Sequence, residues 1–127
     1  LWVRGRIWIL GILASVALMG LKWGGHVFAG GPESNTPIQG SDLSEYLRAI
    51  SAVLWHAVTV VLGVFAVGYL WLSRSENKAL ILLMGATQVG FAALFLWYGI
   101  TLLGTVWPMP QWIIFLLIPA VSAVGTL

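Results

Sequence analysis

Two histidines, His26 and His56, are the only side chains that could ligate a metal or a haem iron through nitrogen at neutral pH. His56 follows Trp55 within a long apolar segment, and His26 follows the glycine pair Gly24-Gly25. An ionisable residue inside a membrane segment is costly and indicates a functional site by default. The two imidazoles could therefore form a bis-histidine haem b site or part of a quinone pocket. Alternatively, His56 bonds a neighbouring carbonyl or hydroxyl and His26 is solvated.

Three further residues are expected to share a cofactor pocket with the histidines. Tyr98 lies near the end of the third apolar segment, while Gln111 and Trp112 begin the fourth. Neither haem nor quinone is favoured over the other by these residue types. No pattern of ligands predicts a separate metal site, because the chain has no cysteine and its acidic residues are few.

Catalytic constellations are missing from this sequence. The four acidic residues lie outside the apolar segments, so a Ser-His-acid triad has no buried acid, and no G-x-S-x-G turn is present. Phosphate-binding and dinucleotide-binding glycine motifs are also absent. The inventory therefore favours a protein without catalytic residues.

The composition is typical of a protein surrounded by lipid. Of the 127 residues, 60% are hydrophobic and only 8% are charged, and the mean hydropathy is +0.97. Soluble domains carry about a quarter charged residues. The net charge of +2 comes without a basic cluster, which excludes a nucleic-acid surface. We expect membrane lipids as the surroundings and other membrane subunits, or copies of this chain, as partners.

Four apolar segments predict membrane helices at 7–23, 47–72, 79–103 and 111–127, because a bilayer core needs about 20 apolar residues. The Gly24-Gly25 pair is expected to end the first helix, and the glycine- and proline-containing stretch 24–46 to form an irregular outer loop. Asp42 is expected to cap the second helix, with Glu45 as its capping-box partner. The chain begins without Met and ends in an apolar run, so we expect both ends to be incomplete.

Small and polar residues at helical spacing predict the packed faces. On the second segment, His56, Thr59 and Gly63 fall within one arc that should face protein. On the third, small residues recur every seven positions around a central amide, giving a packing seam of Gly85, Gln88, Ala92 and Gly99. Short connections then predict an all-α, four-helix antiparallel bundle forming a single transmembrane domain over residues 1–127.

The distribution of basic residues predicts the orientation of this bundle. Four lie at the N-terminus and in the 73–78 loop, against two on the opposite side: Arg4, Arg6, Arg74 and Lys78 against Lys22 and Arg48. Because cytoplasmic segments carry the excess of Lys and Arg, both termini should be cytoplasmic. The stretch 24–46 should then lie outside.

Three features resemble those of uncharacterised short bacterial four-span membrane proteins. They are the glycine-rich end of the first span, the Trp-His pair in the second, and a Trp-Pro-Met-Pro-Gln-Trp link to the fourth, here Gly24-Gly25-His26, Trp55-His56 and residues 107–112. The layout is also loosely similar to that of DoxX-type four-helix proteins. The resemblance covers most of the chain and implies a bacterial inner-membrane location, but no activity and no functional residues.

The sequence supports three functional hypotheses. The first is a small non-enzymatic accessory or scaffolding subunit of a larger membrane complex, since so small a bundle has little interior volume. The second is a redox protein that binds haem or quinone through His56, with His26. The third is transport of a small apolar molecule, for which no residue stands out.

Overall fold

The protein is all-helical, as the sequence predicts. The computed structural model describes residues 2–124 and 126, without the side chain of residue 2. Helices make up 85% of these residues, and none of them forms a strand. In chain order the elements are α1 (Trp2–Gly24), a π-helical segment (Gly25–Asn35), α2 (Thr36–Gln39), α3 (Glu45–Leu72), α4 (Lys78–Tyr98), a second π-helical segment (Gly99–Leu103) and α5 (Gln111–Ala123).

Three helical stretches of the described chain are long and apolar enough to cross a membrane. They are Val3–Gln39, Glu45–Leu72 and Lys78–Leu103. α5 is apolar but has only 13 residues, which at 1.5 Å per residue gives about 20 Å. The predicted fourth span reaches residue 127, and residues 125 and 127 lie outside the described part.

The prediction of an irregular loop over 24–46 is wrong for most of that stretch. α1 runs through Gly24 and continues as a π-helix to Asn35, and α2 follows directly. A glycine costs only about 1 kcal/mol in a helix, which packing can offset. Gly30 supplies such packing, since a Cβ there would lie 3.0 Å from the Trp55 ring. The helical conformation therefore persists through residues that usually end helices.

The start of α3 also differs from the prediction. Asp42 does not cap the helix; the Ser44 hydroxyl accepts a hydrogen bond from the Leu47 amide at 3.3 Å, and the helix begins at Glu45. Serine is as good a cap as aspartate, so composition alone could not choose between them. At the start of α4, Asn77 caps in the same way, accepting from the Leu80 amide at 3.0 Å.

The chain divides into two compact units, residues 1–18 with 68–127 and residues 19–67. In the first unit α4 packs against α5. Phe115 of α5 lies between two phenylalanines of α4, with ring centroids 5.3 Å from Phe91 and 5.9 Å from Phe95. Apolar stacking of this kind, with buried Ile81 and Ile118, forms the core of that unit.

Close backbone approach joins α1 to α5 within the first unit. A Cβ at Gly11 would lie 2.5 Å from the Val121 carbonyl oxygen, so no side chain fits there. Small residues that let helices approach are a main source of helix association in lipid. Gly11 is therefore a packing residue that the sequence patterns above did not single out.

In the second unit, Trp23 packs near Gly63, where a Cβ would lie 3.5 Å from the indole nitrogen. Phe28 lies edge-on to the same indole, with ring centroids 6.4 Å apart.

Gln39 and Arg48 connect α2 to α3 through two hydrogen bonds. The Gln39 side-chain amide donates to the Arg48 carbonyl at 3.0 Å, and the Arg48 guanidinium donates to the Gln39 carbonyl at 3.3 Å. These contacts hold the turn at residues 40–44.

Candidate functional site

His26 is fixed against α3 by three contacts. Its ring stacks on the Trp55 indole, with centroids 4.1 Å apart and planes 16° from parallel. Its Nε2 lies 3.0 Å from the Thr59 hydroxyl and 3.2 Å from the Trp55 carbonyl oxygen. His26 is therefore an ordered, half-buried residue and not a solvated loop residue.

The hydrogen bonds determine the tautomer of His26 in its neutral form. A carbonyl oxygen can only accept, and the Thr59 hydroxyl itself donates to the Trp55 carbonyl at 3.3 Å. Nε2 must then carry the proton and donate to both oxygens, which leaves Nδ1 as the nitrogen with a free lone pair. The ring serves as a brace that fixes the positions of Trp55 and Thr59.

Trp55 and Thr59 line a cleft of about 230 Å³ within the second unit. We call this the histidine cleft because His56 also lines it. Polar side chains line it from both walls, Asn35 and Thr36 on one side and His56 and Thr59 on the other. The lining residues are Val27, Gly31, Pro32, Asn35, Thr36, Trp55, His56 and Thr59.

His56 does not have the predicted orientation. It is exposed, although the helical arc shared with Thr59 and Gly63 predicted that it faces protein. The fully buried residues of α3 are instead Leu62, Tyr69 and Leu72. Thr59 and Gly63 of the same arc do face protein, since Thr59 bonds His26 and Gly63 lies near Trp23, so His56 alone departs from the prediction.

The histidine cleft does not suit a haem held between the two histidines. Pockets that enclose drug-sized ligands typically measure about 300–1,000 Å³, and this cleft is smaller. In addition, Nε2 of His26 already bonds Thr59 and the Trp55 carbonyl. Ligation of iron by that nitrogen would require both hydrogen bonds to break, which leaves only Nδ1 of His26 as a possible ligand. The space and the donors fit a single ring that carries hydrogen-bond acceptors.

The other residues expected in the cofactor pocket belong to the first unit. Tyr98 is 50% exposed at the end of α4. Trp112 donates to the Val106 carbonyl at 3.2 Å and lies 6.0 Å from the Trp107 ring, so it has a local structural role. The side-chain oxygen of Gln111 is buried without a hydrogen-bond partner among the described residues.

A second group of polar side chains is buried in the first unit. The Gln88 amide donates to the Tyr69 hydroxyl at 2.8 Å and to the Met84 carbonyl at 3.1 Å. Ser122 lies beside the Tyr69 hydroxyl, and its own hydroxyl donates to the Pro119 carbonyl at 3.1 Å. Tyr69, Gln88 and Ser122, all 0% exposed, are called the buried polar cluster below. The amide oxygen of Gln88 has no partner within the described chain.

The remaining predicted packing residues lie where helices meet or turn. At Gly85 a Cβ would lie 3.7 Å from Pro119, at the contact between α4 and α5. Ala92 is 1% exposed on α4. Gly99 is buried, and a Cβ there would lie 3.0 Å from the Thr105 carbonyl oxygen. The seven-residue recurrence of these small residues therefore coincides with positions that contact other elements, closely at Gly99 and at an ordinary distance at Gly85.

Sequence reasoning missed Tyr69, Ser122, Asn35 and Thr36. Tyr69 carried a usable signal, because a tyrosine within an apolar helix needs a hydrogen-bond partner when it is buried. Asn35 and Thr36 carried none, since they fall in the stretch that was interpreted as a loop.

No group of three or more His, Cys, Asp or Glu side chains that could hold a metal ion occurs within residues 2–124 and 126. The comparisons with known proteins give no identity: no family model, no curated protein and no solved structure matches the chain.

Proposed function

We propose that this chain is an integral membrane protein that forms a four-helix antiparallel bundle in a bacterial inner membrane, with both termini cytoplasmic. The support is the three long apolar helices, the low charged fraction of 8% and the sidedness of the basic residues. α5 provides the shorter fourth segment. Resistance of the protein to carbonate extraction from membranes tests this location.

We further propose that it serves as a non-enzymatic accessory or scaffolding subunit that binds a larger membrane complex through α3. The supporting observation is that only 6% of the most apolar window of α3 is buried, compared with 22% for each of the other two long stretches. So large an uncovered apolar surface needs lipid or another protein against it.

The uncovered residues of α3 form a pattern that favours protein as the neighbour. Exposed positions recur with alternating spacings of four and three, which is the heptad spacing of helices that pack knobs into holes. Four valines at its centre are 61–66% exposed, and their branched side chains have few rotamers to lose on packing. This α3 seam consists of Tyr46, Ile50, Val53, Ala57, Val60, Val64, Val67 and Trp71.

The partner is expected to be an apolar transmembrane helix with small or branched residues at matching heptad positions. To test this, a photo-crosslinking residue is placed at Val60 or Val64 in the chain expressed at its native level. The control carries it at Leu83, which is 67% exposed on α4. We expect one discrete protein adduct from the α3 positions and none from Leu83.

The adduct must match a subunit that also co-purifies in fixed stoichiometry, and Val60→Trp must weaken that association. An adduct of twice the mass of the chain would identify a homo-oligomer in place of a larger complex. Exclusive crosslinking to lipid, together with a monodisperse protein that purifies alone, would refute the accessory role.

A second function is supported by the histidine cleft: binding of a quinone headgroup. A quinone ring carries two carbonyl acceptors, and the cleft offers donors from Asn35, Thr36 and His56. Trp55, which stacks on His26 and also lines the cleft, adds aromatic surface that a quinone ring can contact. The size of about 230 Å³ favours one ring with its tail outside.

Extraction and mass analysis of quinone from protein purified out of its own membranes tests this proposal. We expect wild-type protein to retain quinone and His56→Ala to lose most of it. Thr87→Val is the matched control, because it removes a hydroxyl that bonds only its own helix at the Leu83 carbonyl. Equal retention by all three proteins, or a haem absorbance band that depends on His56, would overturn the quinone assignment.

A further inference from the structure

An apolar groove opens between α1 and α5 in the first unit, away from the surfaces considered so far. It measures about 420 Å³. The α1 wall is Ile7, Leu10 and Gly11, and the α5 side is Ala120, Val121 and Val124. Gly11, where the backbones of α1 and α5 approach each other closely, is among the lining residues.

A positively charged residue, Arg4, lies on α1 about one turn before the first lining residue of this groove. Arg4 precedes Ile7 by three residues and Gly11 by seven, which places all three on one side of α1 at 100° per residue. Arg4 is exposed, and the helical rise puts it about 5 Å along the axis from Ile7. An apolar groove with a cation near its end is complementary to a phospholipid, whose acyl chain would fill the groove and whose phosphate would meet the cation.

We propose that this groove binds an anionic phospholipid of the surrounding bilayer, with one acyl chain between α1 and α5 and the headgroup phosphate on the Arg4 guanidinium. The inference rests on the membrane location proposed above and is independent of the accessory role. The almost purely apolar lining excludes a polar metabolite, and the adjacent guanidinium favours an anionic headgroup over a zwitterionic one.

The test is native mass spectrometry of the full-length chain in detergent, with added phosphatidylglycerol or phosphatidylcholine of identical acyl chains. A basic residue near an anionic membrane surface contributes about 1 kcal/mol, or about fivefold in affinity. We expect wild-type protein to bind phosphatidylglycerol about fivefold more tightly, and Arg4→Gln to bind the two lipids equally. Arg74→Gln, which removes the same charge from the loop after α3, should keep the preference.

A second variant tests the groove separately from the charge. Ala120→Phe fills it and should reduce binding of both lipids at least fivefold, while Ala93→Phe, at an exposed alanine of α4, should bind like wild type. An unchanged preference in Arg4→Gln, unchanged binding in Ala120→Phe, or a change in oligomeric state in place of lipid binding would each overturn the proposal. Release of the protein from membranes by carbonate would instead refute the membrane location on which this proposal rests.

Discussion

The two units differ in the exposure of their polar side chains. In the first unit, the buried polar cluster of Tyr69, Gln88 and Ser122 is 0% exposed and bonds internally. In the second, the histidine cleft presents an exposed His56 beside half-buried Thr59 and Trp55. Both sets contain a hydroxyl and an aromatic ring, but only the set in the second unit is accessible to a ligand.

The comparison shows that a polar residue within an apolar helix is not by itself a sign of a binding site. A buried polar group needs a partner within the protein, because leaving it unpaired costs about 1–3 kcal/mol. The Gln88 N–H groups find partners at Tyr69 and Met84, whereas the Gln88 oxygen, without a partner among the described residues, bears that cost. That requirement fixes how α3, α4 and α5 pack around Gln88. An accessible polar group can instead exchange its partner for a ligand, so it contributes less to stability and more to recognition.

The largest change in the free energy of unfolding is expected at a glycine of the first unit, and a glycine of the second unit provides the comparison. Gly11→Ala should lower the free energy of unfolding by about 3 kcal/mol, the upper range of overpacking, because its Cβ would lie 2.5 Å from a backbone carbonyl oxygen. Gly63→Ala, whose Cβ would meet Trp23 at an ordinary 3.5 Å, should change it by less than about 0.5 kcal/mol. Thermal unfolding in mild detergent, followed by circular dichroism, measures both. Equal effects would contradict the difference in packing.

The next effect tests whether the buried polar cluster acts as a unit. Tyr69→Phe should cost about 2 kcal/mol, because it removes the acceptor of the buried Gln88 amide. The double variant Tyr69→Phe/Gln88→Leu should be destabilised by less than the sum of the two single changes, because the Gln88 donor left unpaired by Tyr69→Phe is then absent. A double-mutant cycle from the same unfolding measurements gives the coupling. Strict additivity would show that Tyr69 and Gln88 contribute independently.

A smaller effect is expected where the histidine cleft is braced. Thr59→Val preserves shape but removes the hydroxyl between His26 and the Trp55 carbonyl. It should destabilise the protein by about 1 kcal/mol and reduce quinone retention by releasing His26. Thr101→Val, which loses only an exposed bond to its own helix, is the control. If both variants behave alike, His26 does not brace the cleft.

The smallest effect on stability belongs to His56. Because this side chain is exposed, His56→Ala should change the free energy of unfolding by less than about 0.5 kcal/mol while it abolishes ligand retention. A large loss of stability would place His56 among the structural residues, together with Tyr69 and Gln88. That outcome would remove the contrast between the two units.

The sequence predicted the positions of the helices more reliably than the contacts between them. Hydropathy located α3 and α4 because membrane-length apolar segments leave few alternatives. It failed over 24–39, where glycines and Pro32 favour a break that packing against Trp55 overrides. The Gln88 amide stood out as the central polar group of its segment, but its partner Tyr69 is 19 residues away, and no local pattern pairs the two.

The sequence by itself determined the helical class, the apolar character of the long segments and the short list of residues with chemical capacity. These features depend on composition and local periodicity, which can be evaluated from a short segment without knowing what that segment contacts. Only the tertiary structure decided that His56 is exposed, that His26 bonds Thr59 with the proton on Nε2, and that Gln88 is sealed. Those outcomes depend on which surfaces meet, and a contact between distant segments is set by their joint shape and hydrogen-bonding needs.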